Sequence, residues 1–138
     1  MNNTSTTKEQ RLEIVNQIIK EIAGRGRRFF HSKGNIAELF IKNGKVYYKC
    51  ECVSEHKPVH EICLSVPDYK DLKGWYHGGT LRGLVLDFRD YIKTGNYANH
   101  NNGYGGLYCP HWGYPEDDMK AIQEKAIELG YLIRYQKP

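Results

Sequence analysis

The sequence predicts an α+β domain in which an antiparallel sheet of three to four strands carries three helices packed mainly on one face. Three observations lead there. Asn43-Gly44 sits between two runs of alternating apolar and polar residues, the strongest short-range signal for a hairpin. Leu81, Leu84, Val85, Phe88 and Ile92 recur at helical spacing over residues 81–93, an amphipathic stripe. The elements follow one another as α-β-β-β-α-α-β, strands clustered together, which suits helices layered on an antiparallel sheet.

At 138 residues the chain is sized for one domain with a modest core, here residues 8–138 behind a flexible polar tail at residues 1–7. Thr6 and Glu9 have the spacing of a capping box and open a first helix over residues 8–23. Leu12, Val15, Ile18, Ile19 and Ile22 form its buried stripe, and Gly24 is placed to end it. The Asn43-Gly44 turn, read as type I′, fixes a register. Ile41 faces Val46, Leu39 faces Tyr48 and Ala37 faces Cys50 on the apolar side, with Phe40 against Tyr47 and Glu38 against Lys49 on the other. Cys50 and Cys52 then fall on the apolar side.

A third strand is expected over Val59 to Leu64, with Ile62 and Leu64 pointing one way and Glu61 the other. The helix at Leu81–Lys93 has Thr80 as its expected N-cap and Gly95 just past its end. Pro115 is preset for the first turn of a third helix, and Glu116, Asp117 and Asp118 suit the positive end of its dipole. Met119, Ile122, Ala126 and Leu129 face inward and Gly130 ends it. Tyr131 to Tyr135 alternates and is expected to return to the sheet as a fourth strand.

No run approaches the roughly 18 apolar residues of a membrane span. The N-terminus lacks the charged start and apolar centre of a signal peptide, which points to a cytoplasmic protein. A formal charge of +4 favours an anionic partner, yet it is too mild and dispersed to specify nucleic acid. Free thiols are the expectation for the four cysteines; Cys50, Cys52, Cys109 and His111 lack the spacing of a structural zinc site, so no metal is expected. A Gly-x-Ser-x-Gly elbow, a helical His-Glu-x-x-His and paired carboxylates in a glycine-rich cleft are all missing. That argues against an enzyme, and no cofactor is expected.

Three irregular segments hold the candidate ligand chemistry. Gly24 to Lys33 gathers Arg25, Arg27, Arg28 and Phe30, side chains that grip phosphate through paired hydrogen bonds and stack on rings; a solvated basic turn explains the same residues. His77, Gly78, Gly79 and Thr80 lead into a helix where free amides and Arg82 would cradle an anion; a bare turn with an N-cap is the alternative. Residues 95–114 hold five glycines and five large aromatics, too ring-rich for disorder and too long for a plain connection. There Tyr104, Gly105, Tyr108 and Trp112 offer stacking faces and close backbone approach to a nucleotide-like ligand, or the core of a homo-oligomer interface.

Through the segments Arg27 to Ala37, His77 to Arg82 and Gly105 to Tyr114 the chain resembles small proteins of bacteriophages and prophages, and within them most closely the first Thoeris anti-defense family. The resemblance covers nearly all of the chain after residue 8. It implies a non-catalytic sponge in the host bacterial cytoplasm that binds a cyclic ADP-ribose isomer, and in some members cyclic oligonucleotides, and holds it intact. It also implies a homo-oligomer, dimer or hexamer, with ligand near subunit contacts. The family's binding residues are not carried over; the residues named above come from the physical reading. The rival expectations are an inhibitor that docks its basic turn on nucleic acid or an acidic protein, and a small nucleotide hydrolase.

Overall fold

The Asn43-Gly44 hairpin anchors the architecture of the protein, seen here in a computed structural model that describes residues 6–25, 31–32, 35–50, 60–65, 79–96, 107 and 115–132. Both turn residues have positive φ, 54° at Asn43 and 77° at Gly44, the left-handed pair that a type I′ turn demands. Strands β3 (Glu38–Lys42) and β4 (Lys45–Cys50) pair in the expected register, Ile41 with Val46 and Leu39 with Tyr48. The Phe40 and Tyr47 rings stack with centroids 5.3 Å apart. Ala37 is buried but precedes β3, so the ladder ends at Glu38 and Lys49, one pair short of Ala37–Cys50. Strand β5 (His60–Cys63) adds antiparallel to β4, giving the order β3-β4-β5, with Ile62 and Leu64 buried and Glu61 exposed as expected.

A short ribbon that the sequence did not announce, β1 (His31–Ser32) with β2 (Asn35–Ile36), precedes the hairpin. Strands of two residues are too short to show a period.

Helix α1 (Lys8–Ala23) has the expected bounds, but its cap lies one residue further on. Thr7 and Gln10 form the capping box, at 3.0 and 2.9 Å, in place of Thr6 and Glu9. Either threonine satisfies the spacing; Thr6 is instead tied by its carbonyl and hydroxyl to the Arg11 guanidinium at 2.5 and 3.1 Å. Gly24 does end α1, with a right-handed φ of −72° that any residue could adopt.

Helix α2 (Gly79–Thr94) starts earlier than expected, so Thr80 stands inside its first turn instead of capping it. Its middle is enclosed on all sides, residues 83–88 all being buried, where the sequence pattern suggested a single apolar stripe. Gly95, at φ +86°, ends it as expected.

Helix α3 (Glu116–Leu129) is capped by Pro115, buries Met119, Ile122 and Ala126, and stops at Gly130 with φ +95°. Gly130 and Tyr131 donate their amides to Ile127 and Ala126 at 3.1 and 2.9 Å, a Schellman motif. Tyr131 and Leu132 are therefore bends spent on the helix end, and no fourth strand begins there; residues 133–135 of that expectation lie outside the described residues.

Helix α1 is the middle of the packing, touching α2, α3 and β3. Its Val15, Ile18, Ile19 and Ile22 share one core with Leu39, Val46 and Tyr48 of the sheet, Leu84, Phe88 and Ile92 of α2, and Ile122 of α3. Tyr131 closes this core edge-on against Phe88 and Tyr91, with centroids 5.4 and 4.7 Å away.

Candidate functional site

The basic turn begins where α1 ends, and its first arginine is already committed. Arg25 donates from Nη2 and Nε to Glu21 at 2.6 and 3.2 Å and from Nη1 to Asp118 at 3.3 Å. The hydrogen bonding to Glu21 is the main reason its guanidinium is held above the usual arginine range; burial opposes this, and the charges of Glu21 and Asp118 add to it. Physically, Arg25 fastens the end of α1 to the first turn of α3. A phosphate at Arg25 would have to displace a carboxylate.

Beside this junction lies an open depression of about 620 Å³ lined by Lys20, Glu21, Gly24, Arg25 and Asp118. A second depression of about 600 Å³ continues along α1 and α3 between Glu21, Ala121, Glu124, Lys125, Ile127 and Glu128, and its border is mainly acidic.

The described residues at the start of the aromatic segment, and Leu107 within it, are tied to helices. Thr94 accepts the Asn96 amide on its hydroxyl at 3.1 Å, and the Gly95 amide reaches the Tyr91 carbonyl at 2.8 Å. Leu107 is fully buried in the core, and its carbonyl accepts a hydrogen bond from Gln123 of α3 at 3.0 Å. Pro115 passes the chain into α3.

Of the residues singled out from sequence, Arg25 sits at the α1–α3 junction, and Gly79, Thr80 and Arg82 lie in the first turn of α2, Arg82 half-buried and engaged with a neighbour. Arg27, Arg28, Phe30, His77, Gly78, Tyr104, Gly105, Tyr108 and Trp112 lie outside the described residues. Among the described residues no three His, Cys, Asp or Glu side chains gather as a metal site, and no helix is long and apolar enough to cross a membrane.

Three polar residues that sequence reasoning passed over organise the frame. Arg11, only 9% exposed, donates from Nε to the Ile92 carbonyl at 2.9 Å and places its charge at the negative end of α2. Arg89 donates to the Leu64 carbonyl at 2.9 Å and joins α2 to the end of β5. Asn16 takes the Leu39 amide at 2.8 Å and gives to the Leu39 carbonyl at 3.0 Å. An asparagine inside a helix is a mild misfit, and that was the one available hint.

A family model described as YoqU matches residues 5–138, almost the whole of this frame and all three irregular segments. The chain belongs to the YoqU family. A similar protein, the SPbeta prophage-derived uncharacterized protein YoqU of Bacillus subtilis (strain 168), is 28% identical over 125 residues, covering 89% of this chain and 83% of the relative. The YoqU match supports a small protein of phage or prophage type, and neither description names an enzymatic activity. No solved structure matches the chain.

Proposed function

We propose that this YoqU-family protein is a phage-type immune-evasion factor that sequesters a cyclic nucleotide, a cyclic ADP-ribose isomer or a cyclic oligonucleotide, in the host cytoplasm without cleaving it. One observation carries this reading: two of the three candidate segments are moored to the same helix. Arg25 ties the start of the basic turn to Asp118, and Gln123 ties the middle of the aromatic loop to α3 at Leu107. The two moorings, at Asp118 and Gln123, are five residues apart on α3, about 7.5 Å of rise, which favours one site served by both segments. The depression of about 620 Å³ beside Arg25 is of the size of small-molecule sites.

Because carboxylates occupy Arg25, pyrophosphate recognition falls to Arg27 and Arg28, and adenine stacking to Tyr104, Tyr108 or Trp112. Gly79, Thr80 and Arg82 supply the opening turn of α2, with Gly78 and His77 before it, as a second anion contact. Sequestration of a signal present near a micromolar needs nanomolar affinity, about 12 kcal/mol, which an enclosed site shared by subunits supplies more readily than an open surface.

The test is to incubate purified protein with extracts containing different immune nucleotides, wash, heat, and analyse what is released by mass spectrometry. Intact cyclic nucleotide is expected. A cleaved product would replace the sponge with a hydrolase, and release of nothing from any extract would refute nucleotide binding.

A further inference from the structure

We infer that the outer face of the three-stranded sheet is a self-complementary docking surface for a second copy of this chain, related by a two-fold axis that runs across the strands. The described helices share a core with Leu39, Val46, Tyr48 and Ile62, which all point to the inner face. The alternate residues form three rows on the outer face. Glu38, Lys49 and Glu61 stand abreast in the first, with one net negative charge. Phe40, Tyr47 and Cys63 make the middle row, each half-buried. Lys42 and Lys45, both exposed, put two positive charges in the third.

This order selects one way to pair. When two such faces meet about an axis lying along the middle row, Phe40, Tyr47 and Cys63 meet their own counterparts and each negative row covers the partner's lysine row, Glu38 over Lys42, while Lys49 lies over Lys45 with Glu38 and Glu61 on either side to offset the like charge. An axis along the strands would set like rows on one another and is repelled. A closed pair with one patch used twice is the commonest symmetry of homo-oligomers.

The rings are built for insertion. Near-parallel planes, 16° apart, with centroids at 5.3 Å cannot lie flat side by side; Phe40 and Tyr47 stack offset, with their rings tilted out of the sheet. Rings stacked on each other and tilted out of the sheet are a poorer platform for a base than rings lying flat, which disfavours a nucleic-acid occupant. They do serve as knobs between the side chains of a facing sheet. Eight side chains are well short of the 20 to 30 per side of a standard interface, so the association is weak and concentration-dependent.

Sedimentation of the ligand-free protein over a hundredfold concentration range tests this independently of the nucleotide reading. Wild-type protein should pass from monomer to dimer. The variant Glu38→Lys/Glu61→Lys, with two positive rows, and the variant Lys42→Glu/Lys45→Glu, with two negative rows, should each weaken dimerisation at least tenfold while keeping the wild-type circular dichroism spectrum. Mixing the two variants should restore dimers, each being the complement of the other. A short bismaleimide should link wild-type subunits and fail on Cys63→Ser. A wild-type protein that stays monomeric, a single-sign variant that dimerises like wild type, a mixture that stays monomeric, or cross-linking that survives Cys63→Ser would each overturn the proposal.

Discussion

Asn16 guards the free edge of the sheet, and replacing it should cost both stability and solubility. In the hairpin, Lys42 faces Lys45 beside the two-residue turn, which makes that pair and Phe40–Tyr47 mutually hydrogen-bonded. Leu39 falls between bonded pairs, so its amide and carbonyl point away from β4, outward from the edge strand. The Asn16 side-chain amide meets both, at 2.8 and 3.0 Å, and takes the place of a neighbouring strand. Asn16→Ala deletes two hydrogen bonds worth about 1 kcal/mol each in this half-buried setting. It regains about 0.5 kcal/mol of helix propensity, leaving a net loss of about 1.5 kcal/mol. For a domain of this size that is a fall in Tm of about 5 °C. Gln17→Ala, on the same helix without such a pairing, is the control and should be neutral or slightly stabilising. Urea unfolding of both variants at low concentration measures the difference, and light scattering at high concentration should show Asn16→Ala associating. Should the two variants unfold within about 0.5 kcal/mol of each other, the edge-guard argument is wrong.

Gly44→Ala and Gly130→Ala should each lose about 1 kcal/mol, because φ is +77° and +95° there while nothing lies within 4 Å of an added Cβ; the cost is backbone strain alone, and a loss of several kcal/mol in chemical denaturation would contradict it. Burial, then the Cys63 thiol and the Glu61 carboxylate, push the Tyr47 phenol above its ordinary value, and burial pushes Tyr91 up against the opposing charge of Arg11. Below pH of about 10 both phenols are protonated, folded or not; above it the unfolded chain sheds protons the folded one keeps, so stability falls as pH rises. Tyr47→Phe and Tyr91→Phe should each flatten that alkaline decline, and unchanged slopes in urea unfolding between pH 9 and 11 would count against the cause given. Arg25→Ala should cost no more than about 1 kcal/mol, its side chain being 30% exposed, and should spare ligand retention, whereas Arg28→Ala or Trp112→Ala should abolish retention with the fold intact; equal loss in the retention assay for Arg25→Ala would make Arg25 itself a ligand contact.

The parts of the fold that could be read from sequence are those decided within a few residues. Asn43-Gly44 dictates a turn whose backbone few other pairs adopt, and once the turn is set the alternation on both sides agrees with one register, so β3 and β4 followed. Gly95 and Gly130 marked helix ends because their φ values are positive there. Gly24 marked one as well, although at φ −72° the structure makes no use of its freedom, so that success was positional. Thr6 and Thr7 show the opposite limit. Both fit the capping spacing, and the choice was made by Arg11, which claims the carbonyl and hydroxyl of Thr6 while reaching Ile92, 81 residues away.

The same distinction explains why the candidate site could be named only in pieces. A helix or strand announces itself by a period because neighbours in sequence share a face; an irregular segment has no period, and where it goes is fixed by single contacts. Leu107 is the one large aliphatic residue in a run of rings, glycines and polar residues, and it is this residue that enters the core and whose carbonyl accepts from Gln123. Arg25 looked like one of several equivalent cations, and only Asp118, 93 residues away, sets it apart as a fastening. Both contacts end on α3, the helix with the most acidic first turn, and in the proposed function that helix serves both the basic segment and the aromatic one. Neutralising Glu116 and Asp117, which have no part in the Arg25 pairs, should therefore tighten capture of an anionic nucleotide by lowering repulsion at its approach, most strongly at low salt. If retention of intact nucleotide by Glu116→Gln/Asp117→Asn is unchanged at low ionic strength, the ligand does not bind near the start of α3.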